Sequence, residues 1–193
     1  MDFHSFDAFN AGVKAGGLRN RSEIRLLVCY LLSAVDAPVE RDVLVNAVIG
    51  EGLANFFELN EAIDELLHTG NVQTADDGGV EALTATDAGR HSAELLETTL
   101  PRSVREQAVN ATLRLMKLAR NRRQNHVQID ALPDGGCNVT FLLKDEKTEW
   151  MRLTMYVADR LQAETVRANF LEDPVKLYAG ILDALTKPAS PGE

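Results

Sequence analysis

Leu66-Leu67-His68-Thr69-Gly70-Asn71-Val72, answered further on by Leu83-Thr84-Ala85-Thr86-Asp87-Ala88-Gly89-Arg90, is the stretch that decides the fold. Leu66 and Leu67 close a helical pattern, and Gly70 stands where a left-handed residue ends a helix. Val72-Gln73-Thr74 and Val80-Glu81-Ala82-Leu83 flank Asp76-Asp77-Gly78-Gly79. Two short strand patterns around an Asp/Gly cluster predict a β-hairpin. A further helix begins at Thr86 and includes Leu95, Leu96 and Leu100 before Pro101.

Upstream, Asn55 is a good N-cap for a helix whose inner face reads Phe56, Leu59, Ile63, Leu66 and Leu67. Before it, a helix over about 40–49 turns Val43, Leu44, Ala47 and Val48 inward and stops at Gly50–Gly52. Earlier still, Ile24, Leu27, Val28, Leu31, Leu32 and Val35 keep helical spacing without a miss, behind Ser22 as cap. Leu26, Cys29 and Tyr30 widen that face, so this helix is central. Residues 1–21 read as an arm with Phe3, Phe6, Phe9 and Val13 as apolar anchors, broken at Gly16-Gly17.

Three helices, a hairpin and a fourth helix follow the order of a winged helix-turn-helix. The two quoted segments resemble the helix-to-wing junction and the wing exit of MarR- and PadR-type regulators. Further segments extend the likeness: Gly16-Gly17-Leu18-Arg19, Glu23 to Leu32, Asn55-Phe56-Phe57-Glu58, and Leu100-Pro101-Arg102-Ser103-Val104-Arg105-Glu106. Together they resemble an uncharacterised bacterial family, domain of unknown function 4364. The resemblance implies an N-terminal winged helix over 22–100 and a small C-terminal α+β region, and it implies no activity.

Downstream, Ser103-Val104-Arg105-Glu106 has the form of a capping box opening a long helix. Residues 101–125 read as a connector or dimerisation helix, with Val104, Ala108, Ala111, Leu115 and Leu118 on one face. From His126 the period becomes two. Val127, Ile129 and Ala131, then Cys137, Val139, Phe141 and Leu143, then Met151, Leu153, Met155 and Val157 alternate with polar neighbours. That predicts a three-stranded antiparallel meander with one buried face, with Trp150, Arg152 and Tyr156 on the other. Two helices follow, capped at Asp159 and at Asp173-Pro174. Residues 126–187 are thus a βββαα domain, and 188–193 a disordered tail. The fold class is α+β.

The chain has 193 residues and a net charge of −9. Its composition, 45% hydrophobic and 25% charged, excludes collagen, low-complexity and coiled-coil classes. No apolar run approaches the ~18 residues of a membrane span, and the first residues lack a signal-peptide pattern. Two unpaired cysteines, Cys29 and Cys137, fit buried thiols in a reducing, cytoplasmic setting. His4, His68, His91 and His126 lie on separate elements without metal-ligand spacing. No nucleophile elbow, phosphate loop or dinucleotide fingerprint is present. The expectation is a non-enzymatic protein with no metal and no cofactor.

Charge is unevenly spread: −11 over residues 1–100, +6 over 101–125 and −4 over 126–193. A winged helix places residues 55–68 in the major groove and 76–79 at the wing. The polar face there is Glu58, Asn60, Glu61, Asp64, Glu65 and His68, without Lys or Arg. DNA affinity comes largely from cations neutralising phosphates. The expected DNA contacts are therefore Asn55, Asn60 and His68 for base edges. Lys14, Arg19, Arg21, Arg114, Lys117, Arg120, Arg122 and Arg123 are expected on phosphates, with Arg25 beside them. A DNA-binding transcriptional regulator acting as a homodimer is the first reading. The alternative is a protein-interaction module whose acidic winged helix docks a basic protein; small-molecule sensing by the C-terminal domain is the third.

Overall fold

A computed structural model describes residues 12–133, 135–145 and 147–187. Phe3, Phe6 and Phe9 of the expected arm, and the expected tail at 188–193, lie outside the described residues. The protein is α+β, with seven α-helices and two three-stranded antiparallel sheets among the described residues. The chain forms two compact units, residues 1–116 and 117–193.

The first unit is organised around α1 (Arg21–Val35), whose Ile24, Leu27, Val28, Leu31 and Leu32 are almost wholly buried. Each such aliphatic side chain contributes roughly 1.5–3 kcal/mol when fully withdrawn from water. Asn20, not Ser22, caps this helix: its Oδ1 accepts from Ser22 N at 2.8 Å. Next come β1 (Val39–Glu40), α2 (Arg41–Gly50) and α3 (Phe56–His68). The hairpin β2 (Val72–Asp76) and β3 (Glu81–Ala85) follows, then α4 (Asp87–Leu96).

Strand order is β1-β3-β2, with Val39 opposite Leu83 and Thr74 also opposite Leu83 on the other side. The two-residue β1 was not visible in the sequence, because a strand that short, directly after Pro38, shows no alternation. On α3 the buried face is Leu59, Ala62, Ile63 and Leu66. Phe56, expected inside, is half exposed, since Leu53 and Ala54 of the preceding loop are the residues buried at that end.

A long helix, α5 (Arg102–Gln124), belongs to the first unit through Met116 and to the second from Lys117. It buries Val104, Ala108, Ala111 and Thr112. The helix begins at Arg102, so Ser103 sits inside its first turn instead of capping it. Glu106 accepts from Arg102 Nε at 2.7 Å.

The second unit contains β4 (His126–Ala131), β5 (Cys137–Lys144), β6 (Glu149–Val157), α6 (Arg160–Glu172) and α7 (Pro174–Thr186). β5 is central and alternates strictly, with Cys137, Val139, Phe141 and Leu143 buried. Across it stand Val157, Met155, Leu153 and Met151 of β6. Ala163, Phe170 and Leu171 of α6 complete this core, the Phe141 and Phe170 ring centres 5.0 Å apart. The expected cap at Asp159 is present: its Oδ1 accepts from Gln162 N at 2.7 Å, and Gln162 Oε1 accepts in return from Ala158 N. Buried Asn121 donates to the carbonyls of Leu171 and Glu172 at 3.0 and 3.2 Å, satisfying groups that the end of α6 leaves open.

Two details differ from the expectation. Asp173 holds the N-cap position of α7 with Pro174 first in the helix, as expected, but its side chain makes no capping hydrogen bond; its carboxylate lies 3.4 Å from Lys117 Nζ. Trp150 does not share a face with Arg152 and Tyr156. The pairing shifts register beside Leu143 and Lys144, leaving Trp150 as the extra residue of a bulge. Its ring lies 6.1 Å from that of Tyr178 on α7, and its Nε1 donates to Asp145 Oδ2 at 3.1 Å.

Candidate interaction surface on the third helix

Asn55 starts α3. Its Oδ1 accepts from Phe57 N at 2.9 Å and Glu58 N at 3.4 Å, and the residue is buried. One of the three expected base readers is thus turned into its own helix. Asn60 is engaged as well: its Nδ2 donates to the Phe56 carbonyl at 2.9 Å, and its Oδ1 accepts from Arg41 Nη2 at 3.1 Å. His68, at the last turn, is exposed.

The four carboxylates of α3 each meet an arginine from a neighbouring element. Arg21 Nε lies 2.7 Å from Glu58, and its Nη2 lies 3.1 Å from Glu61. Arg25 pairs with Glu65. Arg41 Nη1 reaches Asp64 at 2.7 Å. The hydrogen bond and charge of Glu58 raise the Arg21 pKa further above its ordinary value. These pairs are partly or fully exposed, so each is worth about 0–1 kcal/mol. Their main effect is on what the surface offers: Arg21 and Arg25, expected on phosphates, already hold carboxylates.

Beyond α3 the surface stays acidic. In the hairpin turn Asp76 Oδ1 accepts from Gly79 N at 2.8 Å, with Gly78 and Gly79 at positive φ. Asp76 and Glu81 are exposed, and residues 42–89 contain no Lys or Arg. Phe56 and Phe57 stand out at the start of α3, 51% and 77% exposed, with rings edge to face at 5.6 Å. Sequence reading placed Phe56 in the core and assigned Phe57 nothing. The signal was the doubled aromatic beside the cap, of which only one residue can follow the buried stripe.

The junction that decided the fold has a physical cause. Thr86 Oγ1 donates to the Gly70 carbonyl at 2.7 Å and, more weakly, to that of Asn71 at 3.1 Å, while Thr86 N also donates to Asn71. Gly89 N donates back to Thr86 Oγ1 at 3.3 Å. At Gly89 the helix passes so close to the Asn71 carbonyl that a Cβ would collide with its oxygen. Arg90 reaches Asp36 at 3.3 Å, tying α4 to the left-handed end of α1.

A family model described as Domain of unknown function (DUF4364) matches residues 24–185. The chain belongs to the DUF4364 family. No curated protein and no solved structure matches it.

The remaining candidates of this DUF4364 chain are distributed over both units. Lys14 is exposed, and its backbone N donates to the Gly52 carbonyl at 2.9 Å. Arg19 and Arg114 are exposed in the first unit. Lys117, Arg120, Arg122 and Arg123 belong to the second unit and are exposed there, Lys117 with Asp173 as its partner. Cys29 and Cys137 are free and buried, and burial pushes the Cys29 thiol up to about 11. Among the described residues no three His, Cys, Asp or Glu side chains are grouped to hold a metal ion. Among those residues, too, no helix is long and apolar enough to cross a membrane.

Proposed function

We propose that this DUF4364 protein is a non-enzymatic, winged-helix interaction module whose third helix and hairpin engage a basic protein surface. Support for the winged-helix reading is the element order α1-β1-α2-α3-β2-β3-α4 with strand order β1-β3-β2. The observation that carries the choice of partner is the set of ion pairs on α3. Seven carboxylates, Glu58, Glu61, Asp64, Glu65, Asp76, Asp77 and Glu81, stand on helix and hairpin, and the arginines paired with them are Arg21, Arg25 and Arg41.

A surface of that sign repels phosphates, whereas DNA binding depends on cations releasing counterions. It attracts lysine- and arginine-rich surfaces instead. The exposed Phe56–Phe57 pair supplies an apolar anchor of the kind that dominates protein interfaces. A photo-crosslinker in place of Phe57 tests this: the expected adduct is a protein with a basic contact surface, lost when Glu61→Lys and Glu65→Lys are combined. An adduct with DNA at that position refutes it.

One observation favours DNA as a second reading. Arg114, Arg120 and Arg122 are exposed and form no ion pair among the described residues. If they hold phosphates, retardation of genomic fragments falls steeply with salt and is weakened by Arg120→Glu with Arg122→Glu. No retardation at low ionic strength removes this reading.

A further inference from the structure

The second unit holds a cleft of about 990 Å³. Its floor is the core face of the sheet, at Phe141, Leu153 and Met155; Val166 and Phe170 of α6 form one wall, and Leu177 and Ile181 of α7 the other. Met155 points to the core side of β6, opposite fully buried Val139, and is still 43% exposed. Along α7 only Pro174 is buried, although the helix is among the most apolar in the chain. At Gly180, which lines the wall, a Cβ would meet nothing within 4 Å.

The rim is polar and balanced. Lys117 and Asp173 face each other at 3.4 Å, both about half exposed. Lys176, Glu172 and the Asn169 amide complete it. The rim thus carries two cations and two carboxylates, while the walls carry no charge. Pockets of this size with apolar walls and a few polar groups hold small molecules.

We infer that the cleft binds a small apolar zwitterion, of the class of apolar α-amino acids and short apolar peptides. The side chains take the walls, the ligand carboxylate meets the lysines, and its ammonium meets Asp173 and Glu172. A fatty acid or a cationic amphipath would leave one pair of rim charges facing a like charge. This reading is independent of the partner proposed for the first unit.

Calorimetric titration of the full chain with the dipeptide Leu-Phe tests it, alongside N-acetyl-Leu-Phe, Leu-Phe-amide and dodecanoate. The expected result is saturable one-to-one binding of Leu-Phe, weakened about fivefold by blocking either end, as one exposed ion pair allows. Gly180→Leu fills the cleft and abolishes binding with the circular dichroism spectrum unchanged. Lys176→Ala weakens Leu-Phe but not its amide. The inference is overturned by four results: no saturable binding, dodecanoate binding as tightly as Leu-Phe, or Gly180→Leu binding normally. The fourth is a wild-type dimer that Gly180→Leu dissociates, which assigns the cleft to a second copy.

Discussion

Gly89→Ala tests the junction between the hairpin and the fourth helix. In a helix interior this change ordinarily stabilises, since alanine restricts the unfolded chain and favours the helix, by about 0.4–1 kcal/mol. At Gly89 the added Cβ falls on the backbone carbonyl of Asn71. That carbonyl cannot rotate away, because it accepts from Thr86 N at 3.0 Å and Thr86 Oγ1 at 3.1 Å. Relief requires α4 to slide from the hairpin, and overpacking of this kind costs about 1–3 kcal/mol. Gly180→Ala is the internal control: its Cβ meets nothing within 4 Å and it lies within a helix. The two substitutions are chemically identical, so they isolate the collision. Urea unfolding followed by circular dichroism should show Gly89→Ala shifted to lower urea and Gly180→Ala to equal or higher urea. Thermal midpoints should fall by roughly 3–12 °C for Gly89→Ala. A Gly89→Ala protein as stable as wild type would show that the approach of α4 to Asn71 is not what closes this unit.

Asn121→Ala should lose about 1–3 kcal/mol, measured by urea unfolding, because it strands the Leu171 and Glu172 carbonyls at a buried helix end. Asp145 accepts backbone bonds from Lys147 and Thr148, and these hold its pKa below the ordinary carboxylate value. Its folded pKa being depressed, its contribution is full above about pH 4 and is lost as pH falls through the lower folded value; carboxyl NMR titration should place Asp145 below model peptides. Neither Cys29 nor Cys137 should react with a thiol reagent in the native protein, and both should react in urea, since both are buried and Cys29 is additionally raised to about 11. Rapid native labelling would refute that burial.

Much of the fold was legible because it is written in period and punctuation. The stripe from Ile24 to Val35 repeats every turn, and β5 alternates over four buried positions, so each pattern has one geometric reading. Family membership was legible in other residues: Gly16 to Arg19, Glu23 to Leu32, Asn55 to Glu58 and Leu100 to Glu106. What escaped depends on partners distant in sequence. Arg21 and Arg25 read as phosphate contacts, yet each meets a carboxylate 37 to 40 positions away. Trp150 changed neighbours because one extra residue in β6 shifts the register, which alternation counted from Met151 cannot reveal. Asp173 does hold the cap position before Pro174, but its carboxylate lies against Lys117, 56 positions earlier, and makes no capping bond. The cleft is a property of how loosely α7 covers the sheet, and no local pattern encodes that.

Whether the α3 surface meets protein or nucleic acid separates the two proposed functions. The most direct measurement is crosslinking in cells from a photoreactive residue at position 57, with the adduct analysed for both protein and DNA. The expected adduct is a protein whose contact region is rich in lysine or arginine, abolished by Glu61→Lys with Glu65→Lys. A DNA adduct at that position, unaffected by reversing those two carboxylates, would contradict that expectation.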